Sequence, residues 1–133
     1  MRVTELMIGD WVNVNGINLK VGAIHADEIG VFDPDYKIYW CSDDGLDRVD
    51  PIPLTEGILA RNGFEKCYDD EAPVEECYFF RLFNKQCGWF DIDAFGLEEE
   101  LGAEFTYHDI NINYVHQLQH LLRLCGIEKE LTI

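Results

Sequence analysis

Basic residues are scarce in this 133-residue sequence, where ten Lys and Arg stand against 26 Asp and Glu and give a formal net charge of −16. No two of the basic residues are adjacent. Proteins that bind nucleic acids gain affinity from Lys and Arg that displace counterions from phosphates, and anionic membrane surfaces attract basic clusters in the same way. The composition therefore disfavours direct binding to nucleic acid or to a membrane and favours a basic protein partner.

The sequence also lacks any apolar stretch near the roughly 20 residues that span a bilayer, and residues 1–10 contain no hydrophobic signal core. No Cys-x-x-Cys pair occurs among its five cysteines, which are Cys41, Cys67, Cys77, Cys87 and Cys125. Five is an odd number, and in a reducing compartment such cysteines usually serve as small buried apolar side chains. These absences predict a cytoplasmic protein without a disulfide scaffold.

The signatures of common reaction centres are missing as well. The sequence contains no glycine-rich phosphate loop and no Gly-x-Ser-x-Gly elbow. A nucleophilic cysteine needs an electropositive setting that lowers its pKa, whereas an acidic chain raises it. We therefore expect no enzymatic activity and no cofactor.

The sequence does contain the material for a hydrophobic core, because 47% of its residues are hydrophobic and 13% are aromatic. A chain of this length buries about two-thirds of its unfolded surface, so it needs neither metal nor disulfide to fold. We predict a single domain over residues 1–133. It comprises a β-rich N-terminal half over about 1–55, followed by a second β-meander with a C-terminal helix over about 56–133.

Asn15-Gly16 is the strongest local signal, since this pair is preferred in two-residue type I′ hairpin turns. Such a turn places Val14 opposite Ile17 and puts both on one face of the hairpin. A register slip of one residue would bury polar side chains, so the pattern fixes the pairing. The core-facing set is Val12, Val14, Ile17, Leu19 and Val21, and the outward set is Trp11, Asn13, Asn18 and Lys20.

The remaining pattern predicts an α+β fold of mainly antiparallel strands. A curved, small-barrel-like N-terminal sheet precedes a short middle helix that Thr55 caps and Gly63 ends. An amphipathic C-terminal helix with an apolar face through Val115, Leu118 and Leu122 ends at Gly126. Further strands are expected at residues 29–32, 36–41, 46–50, 64–68, 77–83, 87–92, 103–108 and 127–133, with one helical turn at 97–102.

Three segments resemble a group of small uncharacterised proteins of gut anaerobic bacteria and their phages and mobile elements. They are ELMIGDWV at 5–12, PIPLTE at 51–56 with NGF at 62–64, and YVHQLQ at 114–119 with EL at 130–131. In that group we expect Asn at the position of His120 and aromatic residues at 121–122. The resemblance implies a bacterial setting and carriage on a mobile element, and it implies no chemistry.

His116 and His120 are the only candidate metal ligands that we single out. They lie four residues apart on the predicted helix, a spacing that can ligate zinc. The hydrolytic pattern requires Glu after the first His, and Gln117 stands there. A pair of boundary histidines beside an apolar stripe is the more frequent arrangement.

Clustered acids are better explained as solvated surface. Asp91 and Asp93 alternate on a predicted strand and share a face, and the acids around Gly45 do not have calcium-loop spacing. Exposed aromatic side chains anchor protein interfaces, although a core position is their more frequent location. Trp11 is the tryptophan that we expect to be most exposed, because it points away from the Val12/Val14 face. We therefore predict an interaction surface that includes Trp11, Asp69, Asp70 and Glu71.

Three hypotheses about function remain open at this point. The first is a non-catalytic acidic protein-binding module, with a nucleic-acid-mimicking inhibitor from a mobile element as its sharper form. The second is a metal-binding protein or enzyme that uses His116 and His120. The third is a homo-oligomer built through the C-terminal helix or an open sheet edge.

Overall fold

The computed structural model describes residues 2–68, 77–85, 88–96 and 103–133. Over these residues the chain is mainly antiparallel β-structure with two α-helices, which confirms the predicted α+β class. The chain divides into two compact units, here called unit 1 (Met1–Pro53 and Tyr114–His116) and unit 2 (Leu54–Asn113 and Gln117–Ile133). No helix in the described ranges has the length and apolarity that a membrane span requires.

Unit 1 is built on one antiparallel sheet, which follows a single-turn 3₁₀ helix at Val3–Glu5. Its strands are β1 (Trp11–Val14), β2 (Ile17–His25), β3 (Glu28–Phe32), β4 (Ile38–Ser42) and β5 (Val49–Asp50). They lie in the spatial order β4-β3-β2-β1-β5. The register between β2 and β3 shifts between Val21 and Ala23, and such a bulge bends a strand. The sheet curls into a half-barrel, as the sequence predicted.

The Asn15-Gly16 hairpin has the predicted turn and register. Asn15 has φ 51° and Gly16 has φ 91°, the two positive values that a type I′ turn requires. Val14 pairs with Ile17, and Val12 pairs with Leu19. Ile17 is nevertheless 55% exposed, because the core stops short of the turn. The core of unit 1 comprises Val3, Leu6, Val12, Val14, Val21, Ile29, Val31 and Cys41.

Unit 2 contains a second antiparallel sheet, a short helix and most of a longer helix. Its elements are α1 (Glu56–Arg61), β6 (Glu65–Tyr68), β7 (Cys77–Asn84), β8 (Gly88–Gly96), β9 (Ala103–Tyr107), β10 (Ile110–Asn111) and α2 (Val115–Leu124), of which Val115 and His116 belong to unit 1. The strands lie in the order β10-β9-β8-β7-β6. Large apolar side chains on one face of this sheet are buried, including Phe80, Phe90, Ile92 and Phe105.

Both helices end as the sequence predicted. Thr55 Oγ1 accepts a hydrogen bond from the Ile58 amide (3.2 Å), which caps α1 at its N-terminus. Gly63 has φ 85°, and the Phe64 amide donates to the Leu59 carbonyl (3.1 Å), which is a Schellman motif. Gly126 ends α2 in the same way, with φ 74°.

Two predictions for the C-terminal part were wrong. Residues 127–133 form no strand, and the buried side chains of Ile127 and Leu131 hold this segment instead. His116 and Gln119 are buried, although the predicted apolar face of α2 ran only through Val115, Leu118 and Leu122. The buried face of this helix is wider than the spacing of its apolar residues indicates. The helical turn predicted at 97–102 lies outside the described residues.

Candidate functional site

The two histidines named as metal candidates occupy different settings. His116 is buried and stacks on Tyr114, with ring centroids 6.0 Å apart and an interplanar angle of 10°. His120 is half-buried on the same helix. Within the described ranges, no three His, Cys, Asp or Glu side chains lie together in a group that could hold a metal ion. The structure therefore brings no third ligand from those ranges to this pair.

Cys41 has the properties of a structural thiol. Its side chain is buried in the core of unit 1. Burial, together with the nearby Asp47 carboxylate, raises the pKa of this thiol to about 11. The thiol consequently stays protonated at neutral pH, and only a thiolate is an effective nucleophile.

Trp11 is not the most exposed tryptophan, contrary to the expectation from its outward-facing position in the hairpin. It is half-buried, and its cross-strand neighbour Lys20 places Nζ 5.4 Å from the ring centroid. Trp40 and Trp89 are more accessible, at 45% and 58% exposed. The other three members of the predicted surface, Asp69, Asp70 and Glu71, lie outside the described residues.

Trp40 belongs to an apolar strip on the outer face of the unit 1 sheet. The strip comprises Phe32, Ile38 and Trp40, which share a face because Phe32 pairs with Ile38, and Gly30 pairs with Trp40. Ile38 and Trp40 lie across Gly30, where a Cβ atom would come within 2.6 Å of Ile38 Cγ2. Glycine at this position therefore lets two apolar side chains lie against the sheet, with their other sides exposed.

Trp89 belongs to a second exposed surface, on the outer face of the unit 2 sheet. We call this surface the Trp89 face. Its members alternate along β7 and β8, and Arg81 pairs with Asp91 while Phe83 pairs with Trp89. Alternate residues of a strand point to one side, so the face comprises Phe79, Arg81, Phe83, Trp89 and Asp91.

Arg81 organises the Trp89 face. Its Nε and Nη2 atoms donate to Asp91 Oδ1 and Oδ2 at 2.8 and 2.9 Å, a bidentate ion pair. The guanidinium carbon also lies 5.0 Å from the ring centroid of Phe79 and 5.0 Å from that of Trp89. Phe83 meets Trp89 edge to face at 5.0 Å. These contacts fix the orientation of two aromatic side chains that are each 58% exposed.

The charge of the Trp89 face is negative. Asp91 neutralises Arg81, and the flanking positions carry Glu65, opposite Arg81, and Asp93, opposite Phe79. Both flanking carboxylates are exposed. Aromatic rings attract ammonium and guanidinium groups, and adjacent carboxylates add to that attraction. The arrangement is suited to contact with Lys or Arg side chains of another protein.

A further cluster joins α1 to the neighbouring strands. The Tyr78 hydroxyl donates to Glu56 Oε1 (2.5 Å), and Lys66 Nζ lies 3.6 Å from Glu56 Oε2 and 4.1 Å from the Tyr78 ring centroid. Burial, reinforced by the hydrogen bond to Glu56, raises the pKa of Tyr78 to about 12. The Tyr78 phenol therefore stays protonated at neutral pH and remains a hydrogen-bond donor to Glu56.

The sequence predicted the two strands of the Trp89 face but not their register. The strands predicted at 77–83 and 87–92 flank a short turn, and these bounds centre the hairpin on residue 85. The observed pairs, 83 with 89 and 81 with 91, are centred one residue later. The alternation of Asp91 and Asp93 indicated only a solvated face, whereas Asp91 binds Arg81.

Comparison with known proteins gives no relative from which to transfer a function: no family model, curated protein or solved structure matches the chain significantly.

Proposed function

We propose that this protein is a non-catalytic protein-binding module whose partner is basic. The observation that carries the proposal is the Trp89 face, on which Phe83 and Trp89 are largely exposed and are held in place by the Arg81–Asp91 ion pair. Trp and Arg are enriched at the energetic centres of protein interfaces. A pre-ordered aromatic pair also loses little side-chain entropy on binding.

The net charge of −16 supports the choice of a basic partner. A field of this sign steers positively charged proteins toward the molecule and accelerates their association. The aromatic rings then provide the short-range contact that charge alone lacks. The resemblance to proteins of bacterial mobile elements fits this proposal, and a host protein that binds nucleic acid is the kind of basic partner we expect in the bacterial cytoplasm.

A Trp89→Ala substitution tests the proposal with a Lys- and Arg-rich synthetic peptide as the probe. We expect the dissociation constant to rise about tenfold, because the lost ring contacts are worth about 1 to 2 kcal/mol. Fluorescence anisotropy of a labelled peptide measures this change. An acidic peptide of equal length should not bind.

Trp40→Ala is the matched control, since it also removes an exposed tryptophan but lies in unit 1. It should leave peptide binding unchanged. Equal affinities of the parent protein and both variants would show that the peptide senses only the overall charge, and the proposal would then be abandoned. Competition by duplex DNA for a natural basic partner would support the sharper form of the proposal, a nucleic-acid mimic.

A further inference from the structure

We propose that β4 pairs edge to edge with the β4 strand of a second copy of this chain, about a two-fold axis at Trp40. This inference concerns unit 1 and is independent of the Trp89 face. It starts from the position of β4, which is the terminal strand of its sheet and pairs with β3 alone among the described strands.

The backbone of β4 has groups available for such pairing. The Asp33 amide donates to the Lys37 carbonyl (2.8 Å), so residues 33 and 37 form a hydrogen-bonded pair. Such pairs alternate along an antiparallel ladder, so Tyr39 and Cys41 are also hydrogen-bonded to β3. The amide and carbonyl groups of Ile38 and Trp40 therefore point away from β3, toward the open edge. They are the groups that a further antiparallel strand would bond.

The composition of β4 does not protect this edge. Natural edge strands are blunted by Lys, Pro, bulges or inward-pointing charges. The sequence Ile38–Ser42 contains none of these residues, and its register with β3 is unbroken over five residues. Ile38 and Trp40 also expose apolar surface, 39% and 45% of each side chain, beside the edge.

The charges that flank β4 identify a second copy as the occupant. An antiparallel pair centred on Trp40 places residue 40 opposite itself and Ile38 opposite Ser42. It also places Lys37 opposite Asp43 at both ends of the ladder. Both side chains are exposed, and opposite charges on directly opposed residues stabilise antiparallel pairs. An axis at Tyr39 would instead set Lys37 opposite Cys41 and lose both ion pairs.

The same register accounts for the exposed strip. Directly opposed residues lie on one face, so the two Trp40 rings would be neighbours across the new ladder. A two-fold interface uses the same strand of both copies, so assembly through β4 stops at two chains and leaves no β4 edge exposed. Dimerisation is opposed by the electrostatic repulsion between two molecules that each have a net charge of −16.

Sedimentation velocity of the full chain over a range of concentrations and at two salt concentrations tests the proposal. We expect a monomer–dimer equilibrium in which salt increases the dimer fraction, because screening weakens the overall repulsion. A basic partner would show the reverse dependence on salt. A monomer at all concentrations in high salt, or a series of species larger than the dimer, would overturn the inference.

Trp40→Lys sets two positive charges opposite each other at the axis and should raise the dimer dissociation constant at least about tenfold. Trp89→Lys introduces the same exposed charge in unit 2 and should leave the dimer unchanged. If the two variants dimerise equally well, β4 is not the interface. Neither residue is part of a core, so we expect both variants to fold, and circular dichroism checks this.

The register is tested by Lys37→Glu and Asp43→Lys in separate chains. Each variant alone sets like charges opposite each other twice and should be monomeric. Their mixture has opposite charges at both positions and should form a heterodimer, whereas a monomeric mixture of folded chains would refute the axis at Trp40. Because Asp43 Oδ1 accepts the Val3 amide (2.9 Å), Asp43→Asn, which keeps this acceptor, replaces Asp43→Lys if the latter unfolds. Its mixture with Lys37→Glu retains one ion pair and should dimerise more strongly than Lys37→Glu alone.

Discussion

The side chain of Asn62 links the end of α1 to a residue 70 positions further along the chain. Its amide nitrogen donates to the carbonyls of Ile58 (2.7 Å) and Thr132 (2.8 Å), and its oxygen accepts the Thr132 amide (2.7 Å). These bonds do for residue 132 what a neighbouring strand would do. In the sequence, Asn62 is recognisable only as the residue before Gly63, which ends the helix, because a contact over this distance leaves no periodic pattern.

Cys41 makes the stability of the folded chain depend on alkaline pH. The folded state holds the thiol proton up to about pH 11, whereas the unfolded chain releases it near the ordinary value of 9.0. The stabilisation linked to this thiol is therefore fully present below about pH 9. It is lost as the pH rises toward 11, which lowers the free energy of unfolding by at most about 2 to 3 kcal/mol. Tyr78, with its pKa raised to about 12, acts in the same direction at higher pH.

Urea unfolding at pH 8 and pH 10.5 measures this loss. A Cys41→Ala variant is less stable at pH 8 because it leaves a small cavity, but it should lose less stability between the two pH values than the parent chain. Cys67→Ala is the control, since that side chain is only half-buried. An identical pH dependence in all three proteins would contradict the assignment to Cys41.

At the level of elements, local signals predicted most of the fold. The type I′ turn, the cap at Thr55 and the glycines that end both helices each depend on residues within a few positions of one another. The predictions that were wrong depend on distant contacts. The segment 127–133 has the composition of a strand, but buried Ile127 and Leu131 and the bonds between Asn62 and Thr132 hold it without a ladder. Strand β10 (Ile110–Asn111) is too short to show alternation.

Two glycines near α1 should respond to the same substitution with opposite signs. Gly57 lies in the helix with ordinary φ, and an added Cβ meets its nearest atom at 3.7 Å, so Gly57→Ala should stabilise the protein by about 0.5 kcal/mol. Gly63 has φ 85°, so Gly63→Ala should destabilise by about 1 kcal/mol although the space around it is open to 3.9 Å. Denaturant midpoints measure both changes, and equal signs would contradict this account of the helix end.

At the scale of the whole molecule, excess negative charge acts on every equilibrium. It favours a basic partner, opposes a second copy and strains the folded state by self-repulsion. The preference for a basic partner can be predicted from the sequence alone, because that prediction needs only the count of charges. The sequence did not locate the surfaces involved, since Trp40 and Trp89 become distinguishable from core aromatics only when the sheet faces are known.

Self-repulsion predicts that moderate NaCl raises the thermal midpoint of the protein by about 2 to 5 °C. A triple variant, Asp27→Asn, Asp44→Asn and Glu128→Gln, removes three exposed carboxylates and changes the net charge from −16 to −13. It should melt at a higher temperature in low salt and gain less from NaCl. Differential scanning calorimetry measures both quantities, and a larger salt response in the variant would argue against self-repulsion.

Unit 1 is discontinuous in sequence, since Pro53 bridges to Tyr114, and the Val115 amide donates to the Ile52 carbonyl (2.8 Å). During synthesis on a ribosome, the 61 residues from 54 to 114 must be added after Pro53 before the bridge to Tyr114 can form. At about 5 to 20 residues per second this takes roughly 3 to 12 seconds. During this time the nascent half-barrel lacks the bridge between Pro53 and Tyr114. Its open β4 edge is already accessible to chaperones and to other chains being made on the same messenger RNA.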